Sequence, residues 1–228
     1  MACKLSIEHM TPVILLTDGF LANGSSAWRL PSLDTYPAIK PPYVHAEMQA
    51  TWKPYLRNEE NLVRYWAIPG MKGFSHRVGG LEKDNCSGCI STNPDNHELM
   101  VKQRQAKVDN VAKVIPPVEV LGDPDADLLV VGWGGTFGHL YSAVNELNNQ
   151  GQKVALAHFN YISPLPANTA EVLRRYKTIT VCELNNGQFA GYLRSKVEGI
   201  TLQQYNKIEG QPFTVNELTT YLKTLLEK

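Results

Sequence analysis

Four glycines follow a short apolar run near the middle of the chain, and a glycine-rich turn of this kind can cradle the phosphates of a nucleotide. The run spans residues 128–131, and the glycines are Gly132, Gly134, Gly135 and Gly138. The dinucleotide fingerprint GxGxxG requires a glycine where Phe137 stands and an acidic residue after the next strand, where His158 stands instead. No Gly-Lys-Ser/Thr of a P-loop follows. We interpret the segment as a tight strand-to-helix turn with close backbone packing, and a ligand- or nucleotide-binding module that uses this turn is an alternative.

The two cysteines of the motif Cys86-Ser-Gly-Cys89 are the second group with possible chemistry. With His76 and His97 they could form a Cys2His2 zinc site, although the spacing fits no standard zinc finger or ribbon. A redox motif of the thioredoxin type would lie between a strand and a helix, and an iron–sulfur cluster would need four thiolates. We expect two reduced surface thiols, with a zinc-stabilised adaptor as the alternative function.

Polar residues that follow the predicted strands of the second half form the third group. In open α/β sheets, ligands meet the carboxyl ends of the strands, so side chains at those ends share one edge. The candidates at this edge are His139, His158, Glu183, Asn185, Asn186 and Gln188. They could hydrogen-bond a cofactor or a neighbouring subunit, or they could form a solvated loop edge with Asn/Gly turn chemistry. No catalytic triad, HExxH motif or second carboxylate pair accompanies them, so we assign no catalytic or cofactor-binding residue.

The second half of the chain alternates between strand and helix patterns. Short apolar runs predict strands at 128–132, 154–159, 178–183 and about 200–207. Helical spacing predicts helices at 139–150, 168–176, 187–198 and 214–227, and capping boxes start two of them, at Asn168 with Glu171 and at Thr214 with Glu217. This alternation is typical of an α/β domain with a mostly parallel sheet.

The first half is less regular. Residues 11–18, with the apolar run 13–16, read as a buried strand, which needs neighbours on both sides. A proline-rich passage without sustained periodicity follows, and this pattern indicates an extended linker. A polar helix is predicted from Asn93 to Ile115, where Pro116 and Pro117 stop it. The strand at 11–18 therefore borrows partners from further along the chain, or residues 1–30 are the tail of a domain whose body lies outside this sequence.

Composition and charge exclude several classes of function. The 228 residues carry 22 Lys+Arg and 22 Asp+Glu, so the chain has no excess of positive charge that would favour binding to nucleic acid or to an anionic membrane surface. No apolar run approaches the roughly 18 residues of a membrane span. Four cysteines do not make a disulfide framework in a chain of this length. We expect a cytoplasmic protein, and an unpaired sheet edge would allow homo-oligomers.

Several segments together resemble the alpha subunit of the 2-oxoacid:ferredoxin oxidoreductases, with the 2-oxoglutarate (2-ketoglutarate) branch nearest. Residues 11–25 with Trp28 resemble the close of the pyrimidine-binding domain of that subunit, and Gly80-Leu-Glu-Lys-Asp84 with Gly88 and Asn96-His97 resembles its connecting segment. The domain that follows is matched by Gly132-Trp-Gly-Gly-Thr136, Pro164-Leu-Pro166, Glu183-Leu-Asn185 with Gly187-Gln188, Leu193-Arg194 and Gly210-Gln-Pro-Phe213. The resemblance covers essentially the whole chain.

The resemblance implies three regions: residues 1–30 as the end of a thiamine pyrimidine-binding domain, 31–117 as linker and helix, and 118–228 as a three-layer α/β/α domain like the C-terminal domain of transketolase. It also implies thiamine-diphosphate-dependent oxidative decarboxylation of a 2-oxoacid to an acyl-CoA, with iron–sulfur clusters passing electrons to ferredoxin. In that family a partner beta subunit holds the thiamine diphosphate and magnesium. We expect a carboxy-terminal part of the alpha chain that docks subunits and is inactive alone. The family's catalytic positions have no match here, and a CxxC in the connecting segment is unexpected.

Overall fold

The chain divides into two compact units. The structure is a computed structural model and describes residues 1–77 and 79–227. The first unit comprises Met1–Leu15 and Trp28–Val114, and the second comprises Leu16–Ala27 and the residues from Ile115 onwards. The three regions expected from the sequence, 1–30, 31–117 and 118–228, stay a prediction.

A five-stranded sheet is the centre of the second unit. Its strands are β1 (Val120–Gly122), β2 (Leu128–Trp133), β3 (Val154–Phe159), β4 (Thr178–Glu183) and β5 (Gln203–Asn206). The strand order is β1-β3-β2-β4-β5. Only β1 is antiparallel to its neighbour β3, and the other pairs are parallel. The predicted, mostly parallel sheet is confirmed, while β1 was not predicted.

Helices cover both faces of the sheet. One face carries α4 (Phe137–Asn149) and α7 (Val215–Leu226), and the other carries α5 (Thr169–Arg174) and α6 (Gln188–Lys196). Strand β2 serves both layers, because Leu128 and Val130 pack with the first pair of helices while Leu129 and Val131 pack with the second. Each of these side chains is at most 1% exposed, and burial of a side chain of this size contributes about 1.5–3 kcal/mol. The result is the expected three-layer α/β/α fold.

The two predicted capping boxes differ in outcome. Thr214 Oγ1 accepts a hydrogen bond from the Glu217 amide at 3.2 Å, as expected at the start of α7. The Asn168 side chain does not cap α5, so that prediction is wrong. It bonds the backbone of Val118 instead, accepting from the amide at 2.8 Å and donating to the carbonyl at 2.9 Å. These two bonds satisfy both the amide and the carbonyl of Val118, which precedes β1 and lies fifty positions from Asn168. They replace the bond to the first turn of α5 that a helix cap would make.

In its described residues, the first unit contains two α-helices and a loop-rich body. Helix α1 spans Ala2–Glu8, and α3 spans Pro94–Asn110 and continues as a 3-10 turn to Lys113. The polar helix predicted there is confirmed, and Asn93 caps it by accepting from the Asp95 and Asn96 amides. Between the helices, Val44, Trp52 and Phe74 form a small core cluster. The linker region therefore has some apolar packing of its own.

The predicted buried strand at residues 11–18 is wrong. These residues adopt no strand, and Ile14, Leu15 and Leu16 are 83%, 75% and 63% exposed. A strand is stable only when its amide and carbonyl groups find a ladder partner, and none pairs with this segment in the described residues. The short helix α2 (Gly19–Asn23) follows it and lies in the second unit. Among the described helices, none has the length and apolar character to cross a membrane.

Candidate functional site at the carboxyl edge of the sheet

The turn after β2 is shaped by close packing. The chain leaves Trp133 and makes a 3-10 turn at Gly134–Thr136 before α4 begins, with Gly134 at a φ of +60°. A Cβ atom on Gly132 would collide with the Cδ1 atom of Leu140 and lie 2.8 Å from Thr136 Oγ1. Glycine is therefore needed because α4 packs directly on the end of the strand, as the sequence-based interpretation of a tight turn required.

A cavity of about 640 Å³ lies in the second unit where β2 and β4 end side by side. Helix α4 leaves β2 toward one face of the sheet and α6 leaves β4 toward the other, so this crevice is a topological switch point, the usual ligand position in such sheets. Its lining residues are Leu16, Thr17, Asp18, Leu21, Ala22, Trp133, Gly134, Gly135, Thr136, Leu184 and Asn185.

An aspartate occupies the place where a nucleotide phosphate would approach this turn. A Cβ atom on Gly135 would lie 2.8 Å from the carboxyl carbon of Asp18, so the carboxylate sits against the backbone at the start of the 3-10 turn. Asp18 Oδ1 also accepts from the Phe20 amide at 2.8 Å. A carboxylate at this position repels a phosphate. It also occupies the position at the start of the turn where the backbone dipoles favour an anion. The geometry therefore disfavours the nucleotide-binding alternative.

Glu183, a candidate from the sequence, is a buried carboxylate with internal partners. Its side chain is 0% exposed at the end of β4. Oε2 accepts from the Trp133 indole Nε1 at 3.1 Å and from the Phe189 amide at 2.8 Å, and Oε1 accepts from the Ala190 amide at 2.9 Å. The carboxylate thus satisfies the free amides in the first turn of α6 and fixes Trp133 at the cavity wall. The hydrogen bonds of Glu183 therefore link β2, β4 and α6, and their role is structural.

The three amides that follow Glu183 have separate roles. Asn185 Oδ1 accepts from the Gly187 and Gln188 amides at 2.7 and 3.2 Å, which closes the turn into α6. Asn185 also lines the switch-point cavity. Asn186 and Gln188 are exposed, and no hydrogen bond of their side chains occurs within the described residues. Asn186 and Gln188 therefore present exposed amide groups to a partner, whereas the Asn185 side chain lines the cavity with its oxygen already bonded.

The two histidine candidates lie against different aromatic rings. His158 lies 5.1 Å from the Phe137 ring and lines a second cavity of about 610 Å³ beside Pro116 and Pro117. Burial lowers the pKa of His158 to about 4, partly offset by the backbone of Gly134, so its imidazole is neutral at physiological pH. Its Nδ1 atom is buried and has no hydrogen-bond partner among the described residues.

His139 is half-buried in the first turn of α4, with its ring centroid 5.8 Å from that of Phe20. The six candidates therefore share one edge of the sheet but do not converge on one centre. Asn185 lines one cavity, His158 lines the other, and Glu183 lies within the protein interior. Sequence reasoning missed Asp18 and Trp133. The hydrogen bond of Trp133 to Glu183 had no local signal, because the two residues are fifty positions apart.

The CxxC motif is a surface turn in the first unit. Cys86 and Cys89 are exposed and not disulfide-bonded. Asp84 Oδ1 accepts from the Ser87 hydroxyl at 2.7 Å, from the Ser87 amide at 2.7 Å and from the Cys86 amide at 3.1 Å, and these bonds hold the Asp84 carboxyl pKa below its usual value. Within residues 1–77 and 79–227, no three His, Cys, Asp or Glu side chains are grouped to hold a metal ion. The described residues therefore do not fit a zinc site at this motif.

Comparison with known proteins first shows which family part of the second unit resembles. Residues 126–218, which include β2 to β5 and α4 to α6, match the family model described as pyruvate:ferredoxin oxidoreductase core domain II. The chain is also 44% identical over 227 residues to the 2-oxoglutarate oxidoreductase subunit KorA of Mycobacterium tuberculosis, covering 99% of this chain and 34% of the relative. It is 28% identical to subunit alpha of 2-oxoacid:ferredoxin oxidoreductase 1 of Aeropyrum pernix, covering 95% of this chain and 34% of that relative.

A solved structure agrees along nearly the whole chain. The 2-oxoglutarate:ferredoxin oxidoreductase from Magnetococcus marinus, with 2-oxoglutarate, coenzyme A and succinyl-CoA bound, superposes with a TM-score of 0.90 at 29% identity and covers 98% of this chain and 39% of that one. The chain is therefore similar along nearly its whole length to alpha subunits of 2-oxoacid:ferredoxin oxidoreductases, as the sequence resemblance indicated. It spans about a third of the length of the curated relatives it matches.

The residues described here do not fit the cofactors of such an oxidoreductase. An iron–sulfur cluster needs four thiolates, whereas Cys182 is buried in the sheet and Cys3, Cys86 and Cys89 are exposed. Magnesium prefers carboxylate and water oxygens around bound phosphates, and the single carboxylate of the switch-point cavity, Asp18, contacts backbone.

Proposed function

We propose that this chain forms part of the alpha subunit of a 2-oxoacid:ferredoxin oxidoreductase of the 2-oxoglutarate branch. The observation that carries the proposal is the combination of 44% identity over 227 residues with a TM-score of 0.90 to a 2-oxoglutarate enzyme. Similarity at this level extends through both units of the chain, including the irregular first unit, which a shared α/β fold alone would not explain.

The proposed complex carries out oxidative decarboxylation of 2-oxoglutarate to an acyl-CoA in the cytoplasm. Thiamine diphosphate supplies the electron sink for decarboxylation, and the protein positions it. A beta subunit holds thiamine diphosphate and magnesium, iron–sulfur clusters carry the electrons, and ferredoxin accepts them. Coenzyme A takes the acyl group. All of these components belong to the assembled complex rather than to the residues described above.

The role proposed for this chain is to dock subunits and not to react with substrate. At the carboxyl edge, both oxygens of Glu183 and the Asn185 carbonyl are already bonded to backbone or indole donors and are not free to act on a substrate. Asn186 and Gln188 remain exposed at the same edge and offer hydrogen bonds to a partner. Ile14, Leu15 and Leu16 are exposed apolar side chains in sequence, and such runs mark surfaces that a partner polypeptide covers.

A turnover assay tests this role. The purified chain is mixed with 2-oxoglutarate, thiamine diphosphate, magnesium, coenzyme A and a dye acceptor, and dye reduction is followed. No turnover above the protein-free rate is expected from the chain alone, and turnover is expected from the purified native complex that contains it. Catalysis by the isolated chain would refute the docking role, while an inactive native complex would refute the enzyme class.

A further inference from the structure

Four cationic side chains share one region of the first unit. Arg57 and Arg64 lie opposite each other in an isolated antiparallel bridge. Like charges placed directly across such a pair are destabilising, so the arrangement needs a compensating interaction. The Arg64 guanidinium lies over the Tyr55 ring, 4.3 Å from its centroid, and makes no hydrogen bond or ion pair within the described residues. Its N–H donors are therefore available to a ligand.

Helix α3 supplies the other two cations. Met100, Arg104 and Lys107 are four and three positions apart, so they lie on one face of the helix. The Nη2 atom of Arg57 lies 3.8 Å from Met100 Sδ, which brings its guanidinium against that face. The bridge and the helix together therefore place Arg57, Arg64, Arg104 and Lys107 in one cluster, here called the basic cluster.

The positive charge of the basic cluster is poorly compensated. Within the residues that the structure describes, Arg104 is its one member with an ion pair, to Glu82 at 3.0 Å, and Glu82 also binds His97 at 2.6 Å. Lys107 Nζ donates to the Met10 carbonyl at 2.5 Å. Burial, followed by the fields of the three arginines, lowers the pKa of Lys107 to about 8. Glu82 is therefore the acidic side chain that pairs with the cluster in the described residues, against four cationic side chains.

A buried donor in the same cluster is also unpaired. Arg57 Nη1 donates to the Leu62 carbonyl at 2.9 Å, whereas its Nε atom is buried without a hydrogen-bond partner among the described residues. A buried polar group without a partner costs about 1–3 kcal/mol, and the cost is larger for charged groups. Burial and the neighbouring arginines also lower the Arg57 pKa.

We propose that the basic cluster is a binding site for an oxyanion, carried as a phosphoryl or carboxylate group by a small molecule. Guanidinium groups present forked N–H donors that match both kinds of oxyanion, and the lysine adds a compact charge. A ligand of this class neutralises the repulsion between Arg57 and Arg64 and accepts the free donors of Arg64. This inference is independent of the proposed function, since it concerns residues outside the carboxyl edge of the sheet.

Isothermal titration of the full chain at low ionic strength tests the site. Inorganic pyrophosphate and malonate serve as probes and distinguish a phosphoryl from a carboxylate ligand. One-to-one saturable binding of at least one probe is expected. The Arg64→Gln variant should weaken it about tenfold or more, the effect of losing a charge-assisted hydrogen bond. Arg175→Gln is the matched control, because Arg175 also lies over a tyrosine ring, that of Tyr176, but in the second unit.

Proton uptake provides a second readout. At pH 8 about half of the Lys107 amines are neutral, so a bound anion raises the pKa of this amine and draws protons from the buffer. With malonate, which is fully ionised at this pH and releases no proton of its own, the binding heat should differ between buffers of different ionisation enthalpy, and Lys107→Met should remove the difference. Absence of saturable binding by both probes, or equal weakening by Arg64→Gln and Arg175→Gln, would overturn the site. Such a result would leave an acidic partner protein as the occupant of the cluster.

Discussion

The Glu183 network gives the sharpest test of how the carboxyl edge is built. In the Glu183→Gln variant the side chain keeps its shape but has only one acceptor oxygen. With that oxygen at the Oε2 position, the bonds from Trp133 and Phe189 survive, and the new NH2 group faces the Ala190 amide. One buried donor loses its acceptor, which costs about 1–3 kcal/mol, and the two remaining bonds each lose about 1 kcal/mol of charge assistance.

Removal of the buried charge works in the opposite direction. Glu183 is fully buried, so replacing it with a neutral amide relieves part of the desolvation penalty of the carboxylate. We therefore expect a net loss of about 2–3 kcal/mol in the free energy of unfolding. This is a large fraction of the roughly 5–15 kcal/mol that stabilises a typical domain.

Urea denaturation followed by far-UV circular dichroism measures the loss. The midpoint should fall while the slope m stays unchanged, because the surface exposed on unfolding is the same. Glu171→Gln is the matched control: Glu171 is an exposed glutamate in the first turn of α5, and its change should stay within about 0.5 kcal/mol.

A double-mutant cycle isolates one bond of the network. Combining Glu183→Gln with Trp133→Phe should give a coupling energy of about 0.5–3 kcal/mol, as residues in one hydrogen-bond network do. A loss below about 1 kcal/mol in Glu183→Gln, or additive effects in the cycle, would refute the reasoning that this carboxylate holds β2, β4 and α6 together.

Four further results are expected. Gly132→Ala should destabilise the chain by about 1–3 kcal/mol in urea, because its Cβ atom meets Leu140, and an unchanged midpoint would contradict the tight-turn geometry. His158 should titrate near pH 4 in NMR, and stability should fall as the pH drops from 6.5 to about 4, since the unfolded chain takes up the proton first; titration near 6.5 would contradict its burial. Iodoacetamide should leave Cys182, whose pKa burial raises to about 12, unmodified until the chain unfolds, while mass spectrometry detects alkylation of Cys3, Cys86 and Cys89. Calorimetric titration with ATP should show no saturable binding at the turn guarded by Asp18, and the appearance of such binding in wild-type protein would restore the nucleotide-binding alternative.

The parallel strands and the helices of the second unit could be predicted because their signals are local. The run at 128–131 is apolar at every position, as expected for a strand covered on both faces, and it falls within Leu128–Trp133 of the structure. Helix α7 combines an amphipathic pattern with the Thr214 cap. Boundaries differed by one or two residues at most helix ends, where fraying and 3-10 turns shift the assignment.

The features that were missed depend on distant partners. Strand β1 has only three residues and pairs with β3, more than thirty positions away, so its own sequence carries little strand signal. Asn168 fits a helix cap locally, but the backbone of Val118 competes for its side chain and wins. The apolar segment at 11–18 has the composition of a strand and lacks a ladder partner, which no local pattern reveals.

In the candidate site, too, some features follow from local sequence signals and others depend on distant partners. The sequence placed six polar residues at one edge of the sheet, and parallel topology brings them there. Which of them face solvent depends on side-chain packing, and packing buried Glu183 while leaving Gln188 exposed. The role of that edge as a subunit interface stays a prediction.

A tagged pull-down from native extract, read by mass spectrometry, tests the central claim most directly. The wild-type chain should recover a thiamine-diphosphate-binding beta subunit and a ferredoxin-like protein. Gln188→Arg, at the carboxyl edge, should lower recovery of the beta subunit, whereas Gln152→Arg, an exposed glutamine before β3 at the opposite edge, should not. Recovery of neither protein by the wild-type chain would contradict its place in the oxidoreductase, and equal recovery by both variants would contradict docking through the carboxyl edge.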